Sequence, residues 1–232
     1  DETFGFMKSN ISSGKRITEY DVQQFMLGRF KANGLTTMEA PNCSANANSG
    51  NPHYEPTKDI HSELHAGDFV LLDLWAKKDK PGSTYNDITW TGFLAQEVPE
   101  KYVKIFNVVR DARDAAVNLL ERSFAEGKPV RGCDVDDSAR KVIVDRGYGE
   151  YFIHRTGHSI TEDLHGSGAN MDNLETRDER TIIPETSFSI EPGIYFMGDF
   201  GIRSEINVYV TKERKVVVPG EPRQQEMVAI LK

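Results

Sequence analysis

The feature that most constrains this chain is a set of short sequence matches repeated at one fixed spacing. A Gly-Lys pair, an Asp-Val pair and a single glycine occur twice in the same order. The first copies begin at Gly14, Asp21 and Gly34, and the second at Gly127, Asp134 and Gly147, so the residue numbers of all three pairs differ by the same amount. His53 and His165 are separated by almost the same distance. This repeat offset, held over most of the chain, predicts an internal duplication, which has to be recognised before single motifs are interpreted.

Each half contains the same succession of predicted elements. Apolar residues at helical spacing predict helices over residues 20–31 and 135–144, each of which ends near a glycine. Short runs typical of strands lie at 68–75 and 86–93 in the first half and at 187–196 and 201–211 in the second. Helices that precede strand pairs in both halves predict a pseudo-twofold domain with an inner layer of strands and helices outside.

A long amphipathic helix is predicted over residues 99–125, directly before the second copy of the Gly-Lys pair. Shifted back by the repeat offset, its start falls before residue 1, and Asp1 corresponds to Asp114 in the middle of the helix. We therefore expect the chain to begin within or beside a helix and an upstream N-terminal domain to be absent from this sequence. The expected domain is 1–232, with halves at about 1–98 and 99–232.

Composition excludes several classes of partner. The formal net charge of −8 and the pI of about 5.3 argue against a nucleic-acid surface, which needs a basic face. No apolar stretch approaches the length of a membrane span, so we expect no membrane association. Cys43 and Cys133 are too few for a disulfide framework, and two reduced thiols favour a cytoplasmic location.

Two pairs of acidic residues interrupt the predicted strands. Asp73 and Glu191 each lie inside an apolar run, and Asp87 and Glu205 follow them on the next strand, at the same separation in both halves. An ionised carboxylate in a buried strand costs free energy unless it is paired or bound to a cation. Each half therefore contributes two acids that need a positive partner.

Four carboxylates that converge in an apolar interior repel one another, and cations can hold them ionised together. His158 is the natural imidazole partner, and carboxylates with one imidazole suit Mn²⁺, Zn²⁺ or Co²⁺. We expect two divalent ions per chain, with Mn²⁺ favoured, about 3.5–4 Å apart and sharing bridging carboxylates. The expected ligands are Asp73, Asp87, His158, Glu191 and Glu205.

These ligands, in this order and in the segments LLDLWA, YNDIT, HRTGHSI, SIEPGIY and GIRSEINV, resemble the creatinase/aminopeptidase P/methionine aminopeptidase family. The resemblance covers nearly the whole chain. It implies an α+β pita-bread fold, with a curved, mostly antiparallel sheet inside two pseudo-symmetric halves and helices outside. The sequence departs from the family in an insertion at 77–83, in Gly166 after His165 and in Trp90 where an arginine is usual.

The resemblance also implies roles for residues outside the metal site. Glu191 would act as the proton shuttle, and His165 and His154 as catalytic groups that also bind substrate. His53 resembles the family histidine near the scissile peptide. Arg203 shares a strand face with Glu205, so it either orients that carboxylate or meets a carboxylate of the substrate.

The expected function is hydrolysis of the bond between an N-terminal residue and proline, by an Xaa-Pro aminopeptidase or an Xaa-Pro dipeptidase. A histidine four residues before the metal-binding one, as His154 stands to His158, resembles this branch of the family. Two alternatives remain: a methionine aminopeptidase, in which His154 is only a packed core residue, and an inactive binding domain that keeps the fold. A peptide with proline in the second position is the expected partner, and a homodimer is compatible with the sequence.

Overall fold

The helices of the two halves repeat with the spacing of the sequence matches. In the computed structural model, which describes residues 1–220 and 222–232, the helices are α1 (Glu2–Ser12), α2 (Glu19–Ala32), α3 (Glu100–Ala125) and α4 (Gly132–Asp145). Both ends of α2 and α4 are separated by the repeat offset, and so are the last residues of α1 and α3. Asp1 directly precedes α1, so it lies beside a helix as expected.

The repeated residues are those that begin and end the helices. Asp21 and Asp134 occupy the third helical position, and each accepts the backbone N–H three residues earlier, at 2.9 Å in both cases. Such a contact satisfies one of the unpaired N–H groups at a helix start. Gly14 and Gly127 follow the ends of α1 and α3 with φ of 71° and 67°, a region in which other residues are strained. Helix boundaries therefore account for the short matches.

The strands of the described residues form three sheets that are almost entirely antiparallel. The strands are β1 (Leu35–Thr36), β2 (Asn42–Ala45), β3 (Phe69–Lys78), β4 (Asn86–Phe93), β5 (Ser159–Ile160), β6 (Thr186–Ile190), β7 (Gly193–Phe196), β8 (Phe200–Arg203), β9 (Ile206–Val210), β10 (Val216–Val217) and β11 (Val228–Ala229). The first sheet has the order β1-β3-β4-β11 with β2 also on β3, the second the order β10-β9-β6-β5, and β7 and β8 form a hairpin. The β11–β4 pair is parallel. The α+β prediction is confirmed.

Two predicted strands of the second half are each divided in the structure. The run 187–196 forms β6 and β7, and the run 201–211 forms β8 and β9. The first break lies at Glu191 and Pro192, because proline has no N–H with which to continue a ladder. The N–H of Glu191 instead donates to Thr156 O at 2.7 Å, and that of Glu205 donates to Thr89 O at 3.2 Å. Both acids thus occupy points where the chain changes sheet.

Helices α3 and α4 pack their apolar faces on the strands of the second half, in a core that includes Val109, Leu120, Ile190 and Val208. A second core, around Met7, Val22 and Leu72, joins α1 and α2 to β2 and β3. Cys43 and Cys133 are both buried, and neither forms a disulfide. None of the helices within the described residues is long and apolar enough to cross a membrane.

Candidate metal centre and active site

The two larger sheets bring the four acids together at the junction of the halves. Asp73 lies in the middle of β3, opposite Thr89 of β4, and Asp87 lies near the start of β4. The side chain of Asn207, on β9, bonds both main-chain groups of Asp87, accepting from its N at 2.8 Å and donating to its O at 3.0 Å. An asparagine amide therefore links the two sheets beside the acidic cluster.

Three of the expected ligands form a group that can hold a metal ion. Asp87, His158 and Glu205 are buried, and one ligand atom from each lies within 4.8 Å of the others. Within the described part of the chain, Asp87 Oδ1 and Glu205 Oε1 have no hydrogen-bond partner, although buried carboxylate oxygens are normally satisfied. These orphaned oxygens next to an imidazole fit the donor set of Mn²⁺, Zn²⁺ or Co²⁺. The residues therefore fit a metal centre.

The local structure orients His158 toward the acids. Its Nδ1 lies 3.2 Å from Ser159 O, which can only accept, so the proton resides on Nδ1. Nε2 then points to Asp87 Oδ2 and Glu191 Oε1, each at 3.5 Å. A backbone carbonyl that fixes the tautomer in this way is typical of metal-binding histidines.

Glu191 is placed by two contacts to neighbouring segments. Its N–H donates to Thr156 O, and its Oε1 accepts from Ser189 Oγ at 2.9 Å. Burial favours the neutral carboxyl, but the charges of His158 and Arg203 and the hydrogen bond from Ser189 outweigh burial and hold the pKa of Glu191 below its ordinary value. Glu191 is thus kept ionised.

The other three acids have raised pKa values. Burial raises the pKa of Asp73 to about 7 against the opposing charge of Arg203. Burial raises the pKa of Asp87 and, by more, that of Glu205, and neighbouring carboxylates add to both shifts. Carboxylates that are buried close together repel one another when ionised, and a bound cation would relieve that repulsion.

Thr89 and Tyr195 belong to the site, although the sequence analysis did not select them. Thr89 Oγ1 lies 2.8 Å from Glu205 Oε2 and 3.2 Å from Asp73 Oδ1, and it accepts from Arg203 Nε at 2.9 Å. Thr89 lies two residues after Asp87 on a strand, so both side chains are on one face, and this spacing can be read in the sequence. Tyr195 lies beyond the change of sheet that follows Glu191, so no periodicity indicated it.

Arg203 is buried, and its donors are used within the protein. Nη2 donates to Asp73, Nη1 to Tyr195 Oη at 3.1 Å and Nε to Thr89. Burial opposes the charged guanidinium, but the carboxylate of Asp73 raises the pKa of Arg203 well above its ordinary value. The carboxylate that Arg203 binds directly is that of Asp73, whereas Glu205 is reached through the hydroxyl of Thr89. The expected orientation of Glu205 by Arg203 and the alternative contact with a substrate carboxylate both stay predictions.

His154 lies between the backbone and Tyr195. Its Nδ1 donates to Arg155 O at 2.7 Å, and its Nε2 lies 2.8 Å from Tyr195 Oη. Burial lowers the pKa of His154, which favours the neutral ring, so Nε2 accepts from the tyrosine hydroxyl. Both ring nitrogens are thus engaged by the protein. The expected substrate contact stays a prediction, and it requires the ring to release one of these partners.

The acids line a cleft of about 410 Å³ that is open to solvent. His53, His154 and His165 also line it, together with Arg203. The ring of His165 packs edge-on against that of His158, with centroids 4.4 Å apart. Burial, followed by the His158 charge, lowers the pKa of His165. Every residue predicted for the site therefore reaches this cleft.

Comparison with known proteins assigns the family. The profile of metallopeptidase family M24 matches residues 2–212. The chain belongs to metallopeptidase family M24. An Xaa-Pro dipeptidase of Lactobacillus delbrueckii subsp. lactis is 32% identical over 169 residues, which cover 73% of this chain and 41% of that protein.

Solved structures of the M24 family show the same fold. Dipeptidase PepE from Mycobacterium ulcerans superposes with a TM-score of 0.81 at 26% identity, covering 99% of this chain and 56% of that one. Prolidase from Pyrococcus furiosus gives a TM-score of 0.73 at 26% identity, over 95% of this chain and 61% of that one. These relatives confirm the pita-bread fold and the Xaa-Pro branch. The chain spans about half the length of the curated relatives it matches.

Proposed function

We propose that this M24 chain is the catalytic part of a dinuclear metallopeptidase that releases the residue before proline. The observation that carries the proposal is the pair of orphaned carboxylate oxygens of Asp87 and Glu205, buried beside His158 at the floor of an open cleft. Relatives named Xaa-Pro dipeptidase and prolidase share the fold and the family. A protein that only bound peptides would gain nothing from this costly cluster of acids.

Five side chains would hold the ions. Asp73, Asp87 and Glu205 would hold them together with His158 and Glu191, all of which line the cleft. When bound, the ions polarise the scissile carbonyl and lower the pKa of a water molecule. Mn²⁺ is favoured, since oxygen ligands predominate in this set.

Glu191 would move the proton. Its low pKa keeps the carboxylate able to accept a proton from the attacking water, and the same carboxylate then delivers that proton to the leaving nitrogen. Ser189 Oγ donates to Oε1 and holds the carboxylate in one orientation. His165 is partly exposed in the cleft and would donate a hydrogen bond to the developing oxyanion.

Selectivity for proline would follow from what its amide lacks. An Xaa-Pro bond has no N–H, so a site cannot select it by accepting a hydrogen bond from the scissile nitrogen. Recognition has to come from the shape of the ring and from groups that meet the substrate carbonyl or carboxylate. His53, His154 and His165 line the cleft for these contacts. We also propose that the enzyme acts as an aminopeptidase or as a dipeptidase, that it forms a homodimer, and that it is located in the cytoplasm.

A reconstitution series tests this function. Protein freed of metal with a chelator is reloaded with Mn²⁺, Zn²⁺ or Co²⁺ and assayed on Ala-Pro, Ala-Pro-Ala and Met-Ala-Ala. We expect two ions per chain by elemental analysis and release of alanine from the proline peptides. Preference for Met-Ala-Ala would favour a methionine aminopeptidase. Protein that binds no metal in excess Mn²⁺ would exclude the metallopeptidase.

A further inference from the structure

An ion pair on α4, between buried Asp136 and half-buried Arg140, contacts the chain segment that carries His154, although none of the chemistry above uses it. Asp136 is fully buried, and Arg140, one helical turn later, binds it with two nitrogens: Nε at 2.9 Å from Oδ2 and Nη2 at 3.1 Å from Oδ1. A buried ion pair is weak support for stability, because desolvation offsets most of the attraction. The role of this ion pair is therefore better judged from its hydrogen bonds to residues outside the helix than from its contribution to stability.

Those contacts go to the segment 152–156, which carries His154. Arg140 Nη1 donates to Phe152 O at 2.9 Å, and Nη2 donates to His154 O at 2.8 Å. Asp136 Oδ1 accepts from Thr156 N at 2.9 Å and from Thr156 Oγ1 at 2.7 Å. The guanidinium also lies over the ring of Phe152, 4.0 Å from its centre. Three alternate residues of this segment are thus fixed by one pair of side chains.

The same segment reaches the proton shuttle directly. Thr156 O accepts the N–H of Glu191 at 2.7 Å, at the point where β6 gives way to β7. Phe152 packs edge-on against the ring of His154, with centroids 5.3 Å apart. A shift of this segment therefore moves the imidazole of His154 and the main chain of Glu191 together.

The first half provides an internal control. Helix α2 has Gln23 and Leu27 at the positions equivalent to Asp136 and Arg140, by the repeat offset, and it forms a helix of the same length. An ion pair is therefore not required to build or pack this helix. The two helices differ in the segment that they contact at these positions. In α2 the neutral amide of Gln23 donates to Pro56 O at 3.2 Å, whereas in α4 the ion pair contacts segment 152–156.

We infer that Asp136 and Arg140 are positioning residues, which set the placement of His154 and Glu191 for turnover. The inference rests on the proposed function only for its activity measurement. The variant Asp136→Gln/Arg140→Leu copies the α2 residues and leaves no unpaired buried charge, so the helix can still form. The control is Lys141→Ala/Asp145→Ala, which removes an exposed i, i+4 pair from the same helix.

With Mn²⁺-loaded protein and Ala-Pro, we expect the Asp136→Gln/Arg140→Leu variant to lose about 10²-fold in kcat, the size of loss that a displacement near 1 Å can cause. Ion content should stay at the wild-type value, and the control should stay within about twofold in kcat. Combined with His154→Ala, the loss should be smaller than the product of the separate losses, because residues that act through one another are not additive. Full additivity, or wild-type kcat in the α4 variant, would overturn the inference.

Hydrogen exchange measured by mass spectrometry separates this result from a failure of the proposed function. Peptides covering 152–156 should exchange faster in the Asp136→Gln/Arg140→Leu variant than in the Lys141→Ala/Asp145→Ala control, even if no peptide is cleaved. Equal exchange in both proteins would overturn the positioning role whatever the substrate.

A milder variant keeps the inference testable if the double variant does not fold. Arg140→Lys retains a cation beside Asp136, but an ammonium cannot hold the carboxylate and two backbone carbonyls with the planar fork of a guanidinium. We expect peptides covering 152–156 to exchange faster in Arg140→Lys than in the Lys141→Ala/Asp145→Ala control, with wild-type ion content. Exchange at the wild-type rate in Arg140→Lys would overturn the inference.

Discussion

Helices α2 and α4 are equivalent in sequence position and length, yet each presents a different buried carboxylate to a different segment of the chain. In α2 it is Glu19, whose position in α4 is taken by Gly132. In α4 it is Asp136, whose position in α2 is taken by Gln23. Both acids are fully buried. The two halves therefore share the same helix boundaries but differ in the position of the buried acid on each helix.

The two acids are satisfied by different means. Glu19 accepts from Ala45 N at 2.7 Å, Tyr54 Oη at 2.5 Å and Ser62 N at 2.6 Å, all neutral donors, whereas Asp136 has Arg140. The segment that Glu19 holds includes His53, and the segment that Asp136 holds includes His154. Equivalent helices thus support the two walls of one site by unrelated hydrogen-bond networks.

The largest expected effect lies at the junction of the halves. Asp87→Ala removes a central acid of the group that would hold the ions, so we expect loss of at least one ion per chain and of nearly all activity. Elemental analysis and Ala-Pro hydrolysis measure both. Asp79→Ala, an exposed acid beyond the end of β3, is the matched control and should behave as wild type. A fully active Asp87→Ala protein would contradict the assigned centre.

Glu19→Ala tests the neutral network of the first half. Several buried donors lose their acceptor together, and each unsatisfied group costs about 1–3 kcal/mol, so we expect destabilisation of about 3 kcal/mol or more. Urea unfolding measures the loss. In the fraction that remains folded, KM should rise, since the segment of His53 is loosened, and ion content should hold. A change below about 1 kcal/mol would show that the network is dispensable.

Metal-free protein should lose stability as the pH rises. Asp73 has a pKa of about 7 in the folded protein, whereas in the unfolded chain it releases its proton at about pH 4. Its contribution to the free energy of unfolding therefore falls between about pH 4 and pH 7 and is constant above pH 7. Raised pKa values of Asp87 and Glu205 act in the same direction. The slope of unfolding free energy against pH, compared with the slope of the Asp73→Asn variant, isolates the contribution of Asp73. Mn²⁺ should reverse the trend, because protons compete with the ion.

His154→Ala sharpens the comparison within the second half. We expect turnover of Xaa-Pro peptides to fall by about 100-fold, the lower end of what a lost catalytic contact costs, with both ions retained. Tyr195→Phe is the companion variant, because it removes only the hydroxyl that faces His154. Unchanged turnover in His154→Ala would make His154 a packed core residue.

The smallest expected effects concern the repeated caps. Asp21→Ala and Asp134→Ala should each cost about 1 kcal/mol, since each removes one equivalent cap. The Arg131 side chain lowers the pKa of Asp134, so its contribution is complete above the unfolded pKa and is lost as the pH falls through the lower folded value. Thermal unfolding of both variants at neutral and at acidic pH measures the stability cost of each substitution and how that cost changes with pH. Unequal costs at neutral pH would show that the two helix starts have diverged.

The sequence by itself determined the duplication and the identity of the acids. Helix caps and stops are local, because Asp21 and Gly14 act on backbone groups within a few residues, so their repetition can be recognised in one dimension. Asp73 and Glu191 stood out because charge inside an apolar run needs a cation or a partner. Those arguments use only neighbours along the chain.

Tertiary structure alone decided how the acids are held. The changes of sheet at Glu191 and Glu205 depend on Thr156 and Thr89, which lie far from them in the chain. The engagement of His154 by Tyr195, and of segment 152–156 by α4, likewise joins side chains from separate elements. Hydrogen bonds of this kind are formed by packing rather than by periodicity, and a linear pattern contains no record of them.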